Sequence, residues 1–278
     1  MNDNPYNFDS SLADEEYTQN ENQSNLVQLP FDAPFISWRH GNPDSLDEQQ
    51  KPTSKYFGRW GIDCADWDKL CEKLDIPVPE IKETHAKKDK NYVPIPNEFY
   101  HIYTWRFLIF APIGGRVRWI DGKSQSQTLV YIANKTKNGL EPLTPAILTT
   151  KSWTASKFNT AREKWLDFCS KFDTGIPAHF FYCAIGTFGD VSKFAGSHGK
   201  ETYPQLFIRD GLDATNLPYI GNELARTISQ LNVEALDWYN DEDWLHPENA
   251  DQSKSNRGYS RQQQSPQNDP IQDDEIPF

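Results

Sequence analysis

Strand-like segments through the middle of the chain constrain its fold more than any other feature. The first segment is rich in β-branched and aromatic residues, and the second alternates basic and apolar residues with the period of two that a strand requires. Gly114 and Gly115 lie between these two segments and predict a hairpin turn. In chain order, the segments are residues 102–110, 116–120, 128–133 and 146–150. We therefore expect consecutive antiparallel strands in this region.

Helices are expected both before and after these strands in the sequence. Residues 154–172 show the strongest pattern, with apolar residues recurring at three- and four-residue spacing. A second helix is predicted after Asp63, whose carboxylate can cap it, and a third covers residues 220–236. Residues 80–97 are charged and contain prolines, which predicts a long surface loop. Further strands are expected at residues 56–62, 178–188 and 205–209.

Together these patterns predict a β-rich α+β fold. An OB-like antiparallel barrel with insertions and two or three packed helices is the first choice, because closure removes exposed strand edges. Another α+β sheet remains open as an alternative. We assign the globular body to residues 29–236. The flanking residues 1–28 form an acidic arm and residues 237–272 an acidic, Gln-rich linker, both expected to be disordered because they hold few apolar residues.

The acidic residues are concentrated at the two ends of the chain. The net charge is −12, yet residues 31–236 sum to +1. Residues 1–30 hold six acids and no Lys or Arg, and residues 237–245 hold four acids and no Lys or Arg. Acidic arms on a near-neutral body fit a protein whose arms compete with nucleic acid for a local basic groove. They fit an ordinary acidic cytoplasmic protein as well.

The sequence gives no positive sign of a catalytic, metal or cofactor site. The four cysteines include no Cys-x-x-Cys pair, so we expect free thiols in a reducing cytoplasm and no zinc. The six histidines lie apart and suggest no triad. Asp63, Asp66 and Asp68 are explained by the attraction of acids to a helix N-terminus. No signal peptide and no membrane span of about 20 apolar residues is found, and we predict a non-enzymatic cytoplasmic protein without a cofactor.

The end of the chain predicts a docking peptide. A C-terminal aromatic ring can fill an apolar pocket while its carboxylate is bound by an Arg or by backbone N–H groups, and a basic rim attracts the preceding acids. Pro277 restricts the approach of the last residue. The peptide consists of Asp273, Asp274, Glu275, Ile276, Pro277 and Phe278.

This hexapeptide resembles the acidic tip of bacterial and phage single-stranded DNA-binding proteins. The resemblance covers residues 251–278, which include the polar, Gln-rich stretch before the tip. It implies a body that binds single-stranded DNA, a disordered tether, and a tip that recruits replication, recombination or repair proteins. The body itself carries no motif that we assign to a family.

Candidate DNA-binding residues are those that pair aromatic rings with basic side chains, since stacking stabilises single-strand binding by about 1–3 kcal/mol per base. In the second strand-like segment, Arg116 and Arg118 share one face and Trp119 lies opposite. Core packing is the competing interpretation for the aromatic rings, and a solvated loop is the competing one for the lysines. The candidates are Lys55, Tyr56, Arg59, Trp60, Trp105, Arg106, Arg116, Arg118, Trp119, Lys135 and Lys137.

Three functions are compatible with these features. The first is a non-catalytic single-stranded DNA-binding protein that coats DNA and whose acidic tail also competes for its own groove. The second is an adaptor that binds a protein or ligand and uses the tip to reach DNA-processing enzymes; here Arg106, Arg116 and Arg118 would be dispensable. The third is a DNA-processing enzyme with dispersed ligands. Self-association remains open, because no heptad seam is present.

Overall fold

The structure is a computed structural model, and it describes the body and part of each end. Several predicted features lie outside the described residues: nearly all of the N-terminal arm, Lys55, Tyr56, the polar tether and the docking peptide. The described residues are 6, 28–39, 58–75, 78, 81–89, 93–120, 123–187, 194–196, 199–201 and 203–246.

Eleven strands occur within this described part of the chain, and nine of them form one sheet. In spatial order the sheet reads β11-β8-β5-β6-β7-β1-β2-β4-β3, while β9 pairs with β10 alone. The strands are β1 (Phe35–Arg39), β2 (Arg59–Asp63), β3 (Ile81–Lys88), β4 (Pro94–Trp105), β5 (Phe107–Ile120), β6 (Lys123–Thr136), β7 (Gly139–Lys151), β8 (Cys183–Gly186), β9 (Phe194–Gly196), β10 (Gly199–Glu201) and β11 (Gln205–Phe207).

The helices pack against this sheet. They are α1 (Cys64–Leu74), α2 (Ser152–Ser170), α3 (Asn222–Glu234), α4 (Leu236–Tyr239) and α5 (Glu242–Leu245), with a short 3-10 turn at Ala178–Phe180. The predicted cap of α1 is confirmed, because the Asp63 carboxylate accepts a hydrogen bond from the Ala65 N–H at 2.9 Å. Within the residues that the structure describes, none of these helices is both long and apolar enough to cross a membrane.

The large sheet curls into a half-barrel. Within it β1 is parallel to β7 and antiparallel to β2, and long antiparallel ladders join β5, β6 and β7. Four strands separate β2 from β8 in the sheet order, yet the Trp60 indole N–H donates to the Ile185 carbonyl at 2.9 Å. The Thr187 hydroxyl also donates to the Gly58 carbonyl. These two bonds join segments that are far apart in the strand order, so the sheet must bend back towards itself. The predicted strand-rich α+β class is therefore confirmed.

One face of the sheet forms the main core with α1 and α2. Trp60 is fully buried there and makes edge-to-face contacts with Trp38 and Phe158, at ring-centre distances of 5.1 and 5.4 Å. The apolar stripe predicted for α2 is buried as expected, since Phe158, Ala161 and Trp165 all lie in this core. Burial of each large apolar side chain contributes about 1.5–3 kcal/mol.

The opposite face is covered by α4 and α5, which extend the fold past residue 236, whereas Leu224, Ala225 and Ile228 of α3 lie in the main core. The sequence predicts that the linker begins at residue 237, because acids dominate the residues that follow. Trp238 and Trp244 are nevertheless 3% and 7% exposed, and they bring Asp241 into the interior with them. Two large indole rings bury enough apolar surface to order this short acidic segment.

Two local predictions were wrong. The loop expected at residues 80–97 is instead largely the antiparallel pair β3 and β4. The charged residues were misleading because β3 is the strand at one edge of the sheet. Edge strands are commonly rich in charged residues. The glycine pair makes no turn: β5 continues through Gly114 and Gly115, and the pairing register shifts between Pro112 and Gly114.

The boundaries of two predicted strands, at residues 178–188 and 102–110, also differ from the prediction. The strand expected at residues 178–188 begins as a 3-10 turn and becomes strand β8 only from Cys183. The strand expected at residues 102–110 is interrupted at Arg106, where β4 ends and β5 begins. The chain therefore passes between two distant strands of the sheet through a single residue.

Candidate nucleic-acid interface

The β5–β6 hairpin places the predicted arginines and Trp119 on opposite faces. Arg116 lies opposite Gln127, Arg118 opposite Gln125, and Trp119 opposite Ser124. Because side chains alternate along a strand, the two arginines share one face and Trp119 occupies the other. This part of the prediction is confirmed, and the two faces have different surroundings.

Arg116 is buried beneath the C-terminal helices. Its side chain donates to the Trp238 carbonyl at 2.6 Å and to the Gln127 side-chain oxygen at 2.9 Å, and it lies 3.5 Å from the Asp241 carboxylate. The guanidinium carbon is 3.9 Å from the Trp238 ring centre and 4.2 Å from that of Trp244. Burial lowers the pKa of Arg116 to about 10. At 8% exposure, Arg116 is not accessible to a phosphate.

Arg118 holds the last helix in a similar way. It donates from Nε and Nη2 to the Gln125 side-chain oxygen at 3.0 and 2.7 Å, and from Nη1 to the Trp244 carbonyl at 3.2 Å. Its guanidinium carbon lies 4.4 Å from the Trp244 ring centre, and burial lowers its pKa. We call Arg116, Arg118, Trp238, Asp241 and Trp244 the arginine clasp, because together they hold α4 and α5 on the sheet.

Trp119, on the other face, is 67% exposed. Its cross-strand neighbour is Ser124, whose hydroxyl donates to the Ser152 carbonyl at 3.3 Å. Ser152 is the first residue of α2. The exposed indole therefore stands near the start of that helix.

The beginning of α2 adds two aromatic rings and a cation. The Lys157 ammonium lies 5.3 Å from the Trp153 ring centre and 5.7 Å from that of Tyr203, and these rings make an edge-to-face contact at 5.0 Å. The N-cap residue of α2 makes no side-chain capping bond, and its first turn contains no acid. Such a helix start attracts anions. We call Trp119, Trp153, Lys157 and Tyr203 the hairpin platform.

Trp60 and Trp105, the other aromatic candidates within the described residues, serve the core. Trp60 is fully buried, and the half-buried Trp105 packs edge-to-face on Trp67 at 5.3 Å. Arg59 is half-buried on β2, opposite Arg39. These positions leave no exposed ring for stacking on a base.

Arg106, Lys135 and Lys137 are exposed but lie far from Trp119 along the β5–β6 hairpin. Arg106 donates to the Thr187 carbonyl at 3.2 Å at the start of β5, and the two lysines lie near the β6–β7 turn. Lys135 lies eleven positions after Ser124 on β6, which corresponds to about 36 Å along an extended strand. The predicted residues therefore do not form one cluster.

Three members of the platform were missed by the sequence analysis. Trp153 and Lys157 are four residues apart, a spacing that brings side chains together on a helix, but the helix was predicted to begin only at residue 154. Tyr203 comes from a distant part of the chain, and nothing in the local sequence links it to α2. Only Trp119 was among the candidates.

Across the ranges given above, no three His, Cys, Asp or Glu residues are placed to hold a metal ion together. No protein-family model, curated protein or solved structure matches the chain. The function is therefore inferred from the residues themselves.

Proposed function

We propose that the chain is a non-catalytic single-stranded DNA-binding protein that contacts DNA through the hairpin platform and recruits replication, recombination or repair proteins through its C-terminal tip. The proposal rests on the exposure of Trp119 near the start of α2, the helix to which Lys157 belongs. An indole left largely in water loses about 25 cal/mol of stabilisation for each Å² not buried. A base stacked on it would recover part of that stabilisation.

The platform has the two components that sequence-independent binding requires. Trp119, Trp153 and Tyr203 supply ring faces and edges for bases, with about 1–3 kcal/mol per stacked base. Lys157 and the amide groups at the start of α2 supply positive charge for phosphates. The curled half-barrel is compatible with an OB-like barrel, and we propose that the body is one. OB-folds use strand faces and adjoining loops to bind oligonucleotides.

The position of the C-terminal segment supports the second role of the tail. α5 ends at Leu245, and the Trp244 carbonyl is bound by Arg118, the residue before Trp119. The acidic sequence that follows therefore leaves the body at the end of the β5–β6 hairpin, on the face opposite Trp119. We propose that its carboxylates compete with DNA phosphates at the platform until DNA displaces them, which leaves the tip available to partner proteins.

Replacement of Trp119 tests the DNA-binding role directly. The Trp119→Ala variant should bind fluorescein-labelled oligo-dT about 5- to 150-fold more weakly than the wild type, the equivalent of one stacked base. Fluorescence anisotropy at two salt concentrations gives the dissociation constants. Phe35→Ala is the matched control, since Phe35 is a 56% exposed ring on β1, and it should leave the affinity unchanged. Equal affinity of the wild type and the Trp119 variant would contradict the platform assignment.

The arginine clasp favours one alternative, an adaptor that uses the tip without binding DNA. Arg116 and Arg118 are occupied by contacts within the protein, so the arginines expected to line a DNA groove do not do so. An adaptor would show docking of tip-reading enzymes but no saturable binding of oligo-dT. Joint replacement of Arg106, Arg116 and Arg118 no longer separates the two functions, because it would also remove the clasp.

A further inference from the structure

Tyr6, from the predicted N-terminal arm, lies in a cleft of the body. Its hydroxyl oxygen accepts a hydrogen bond from the Leu217 N–H at 2.7 Å. Its ring makes edge-to-face contacts with Phe181 at 5.7 Å and with Tyr219 at 5.6 Å, and those two rings contact one another at 6.1 Å. We call Phe181, Leu217 and Tyr219 the Tyr6 cleft.

The cleft matches a tyrosine side chain in shape and polarity. Two aromatic rings surround the apolar part of the ring, and a backbone donor meets its hydroxyl. Phe181 is fully buried with Tyr6 in place, and burial raises the pKa of Tyr6. Without an occupant, Phe181 would be more exposed to solvent and the Leu217 N–H would lose its hydrogen-bond acceptor. The filled cleft is therefore lower in free energy than the empty one.

The connection between Tyr6 and the body is long enough to permit exchange between molecules. Residues 7–27 separate Tyr6 from Gln28, where the description of the chain resumes. A fully extended segment of this length spans at most about 75 Å. A body of about 200 residues has a radius of gyration of about 16 Å. The maximum length of residues 7–27 therefore allows Tyr6 to reach either its own cleft or that of an adjacent molecule.

We propose that the Tyr6 cleft is an interaction surface for a second copy of this chain, which inserts its own Tyr6. The same ring contacts and the same hydrogen bond form in either arrangement, so the local concentration of neighbouring copies sets the balance between them. Copies bound side by side on one DNA strand are highly concentrated relative to each other. This part of the inference rests on the proposed function, and exchange would then link adjacent copies along the strand.

Photo-crosslinking distinguishes exchange from docking within one molecule. The full chain carrying Tyr6→p-azidophenylalanine is mixed with a wild-type chain enlarged by a fusion tag, and the mixture is irradiated. Samples are prepared on long oligo-dT at low protein concentration, and without DNA at protein concentrations up to about 1 mM, comparable to the effective concentration of a short tether. Binding to oligo-dT is measured separately by anisotropy. Gel mobility separates crosslinked pairs from single chains, and mass spectrometry locates the crosslink.

The proposal predicts a product with the summed mass of the two chains, crosslinked at Phe181, Leu217 or Tyr219. Its yield should rise with protein concentration and be higher on DNA. The matched variant Tyr17→p-azidophenylalanine, which changes the arm's other tyrosine, should not crosslink to the cleft. Crosslinks confined to single chains under every condition would overturn the proposal. A summed-mass product without any binding to oligo-dT would uphold exchange and reject the DNA-binding function.

Discussion

Arg116 and Lys157 both lie against two aromatic rings, but their exposure gives them different roles. Arg116 is enclosed by α4 and α5 and has hydrogen-bond partners within the protein. Lys157 is half-buried on α2, and the rings beside it, Trp153 and Tyr203, are also half-buried, so this pair remains partly in contact with solvent. A cation–π pair desolvated inside a protein stabilises the fold, whereas one at the surface remains accessible to a ligand.

Replacement of Arg116 should strongly destabilise the protein. Arg116→Ala would leave Asp241 buried without this partner and remove the bond to the Trp238 carbonyl. Loss of one member of a buried ion pair reduces the free energy of unfolding by about 3–5 kcal/mol. Urea unfolding followed by circular dichroism measures the change. Arg209→Ala is the control, since Arg209 is exposed, and it should change stability by less than about 0.5 kcal/mol. Equal stability of both variants would show that the clasp is not stabilising.

The fate of individual aromatic residues could not be read from the sequence. Trp60 and Trp119 both occupy strands and both have basic neighbours, yet the first is fully buried and the second is 67% exposed. Alternation assigns a side chain to a face, but which face is covered depends on helices that come from elsewhere in the chain. For Trp60 that cover includes Phe158 of α2.

At the level of elements, patterns with a local physical cause were predictable. The Asp63 cap and the apolar stripe of α2 depend on residues within a few positions of each other, and both were found as expected. The β3–β4 pair was missed because its charges suit the edge of a sheet, and the position of a strand in a sheet is not a local property. The role of Gly114 was missed because its partner, Tyr239, lies over a hundred residues away in sequence.

Gly114 allows α4 to approach β5 closely. A Cβ atom at this position would collide with the Tyr239 hydroxyl and would lie 2.9 Å from the Asn232 side-chain oxygen. Gly114→Ala should therefore destabilise the protein by about 1–3 kcal/mol, the usual effect of overpacking. Urea unfolding is the measurement. In a Tyr239→Ala background the same substitution should have a smaller effect, because the main obstacle is absent. An unchanged effect there would assign the strain to a different contact.

The whole molecule combines a near-neutral body with acidic ends, and the arginine clasp connects the two. The clasp holds residues 236–245 on the sheet, so the remaining acidic sequence starts from a defined point beside the hairpin. Net charge alone, at −12, would have argued against nucleic-acid binding. Charge distribution is the more relevant quantity, because electrostatic competition depends on where the acids are attached.

Removal of the tip should separate the two roles of the tail. A chain ending at Gln272 lacks three acids and the apolar hook, so it should bind oligo-dT more tightly at low salt and fail to dock tip-reading enzymes. The affinity gain should shrink as salt rises, because screening weakens competition by the acids. Anisotropy and pull-down assays measure the two effects. Phe278→Ala keeps the three acids, so it should lose docking while retaining wild-type DNA affinity; unchanged binding and docking in both variants would reject this mechanism.

The bond between Trp60 and Ile185 also determines when the fold can be completed during synthesis. The two residues are 125 positions apart, and at about 5–20 residues per second a ribosome needs about 6–25 s to make the intervening chain. Through that interval β2 exists without β8, and the indole has no access to its final acceptor. Contacts of such long sequence separation form slowly. We therefore expect this part of the core to stay incomplete for seconds during synthesis, and apolar side chains exposed in that state are what chaperones bind.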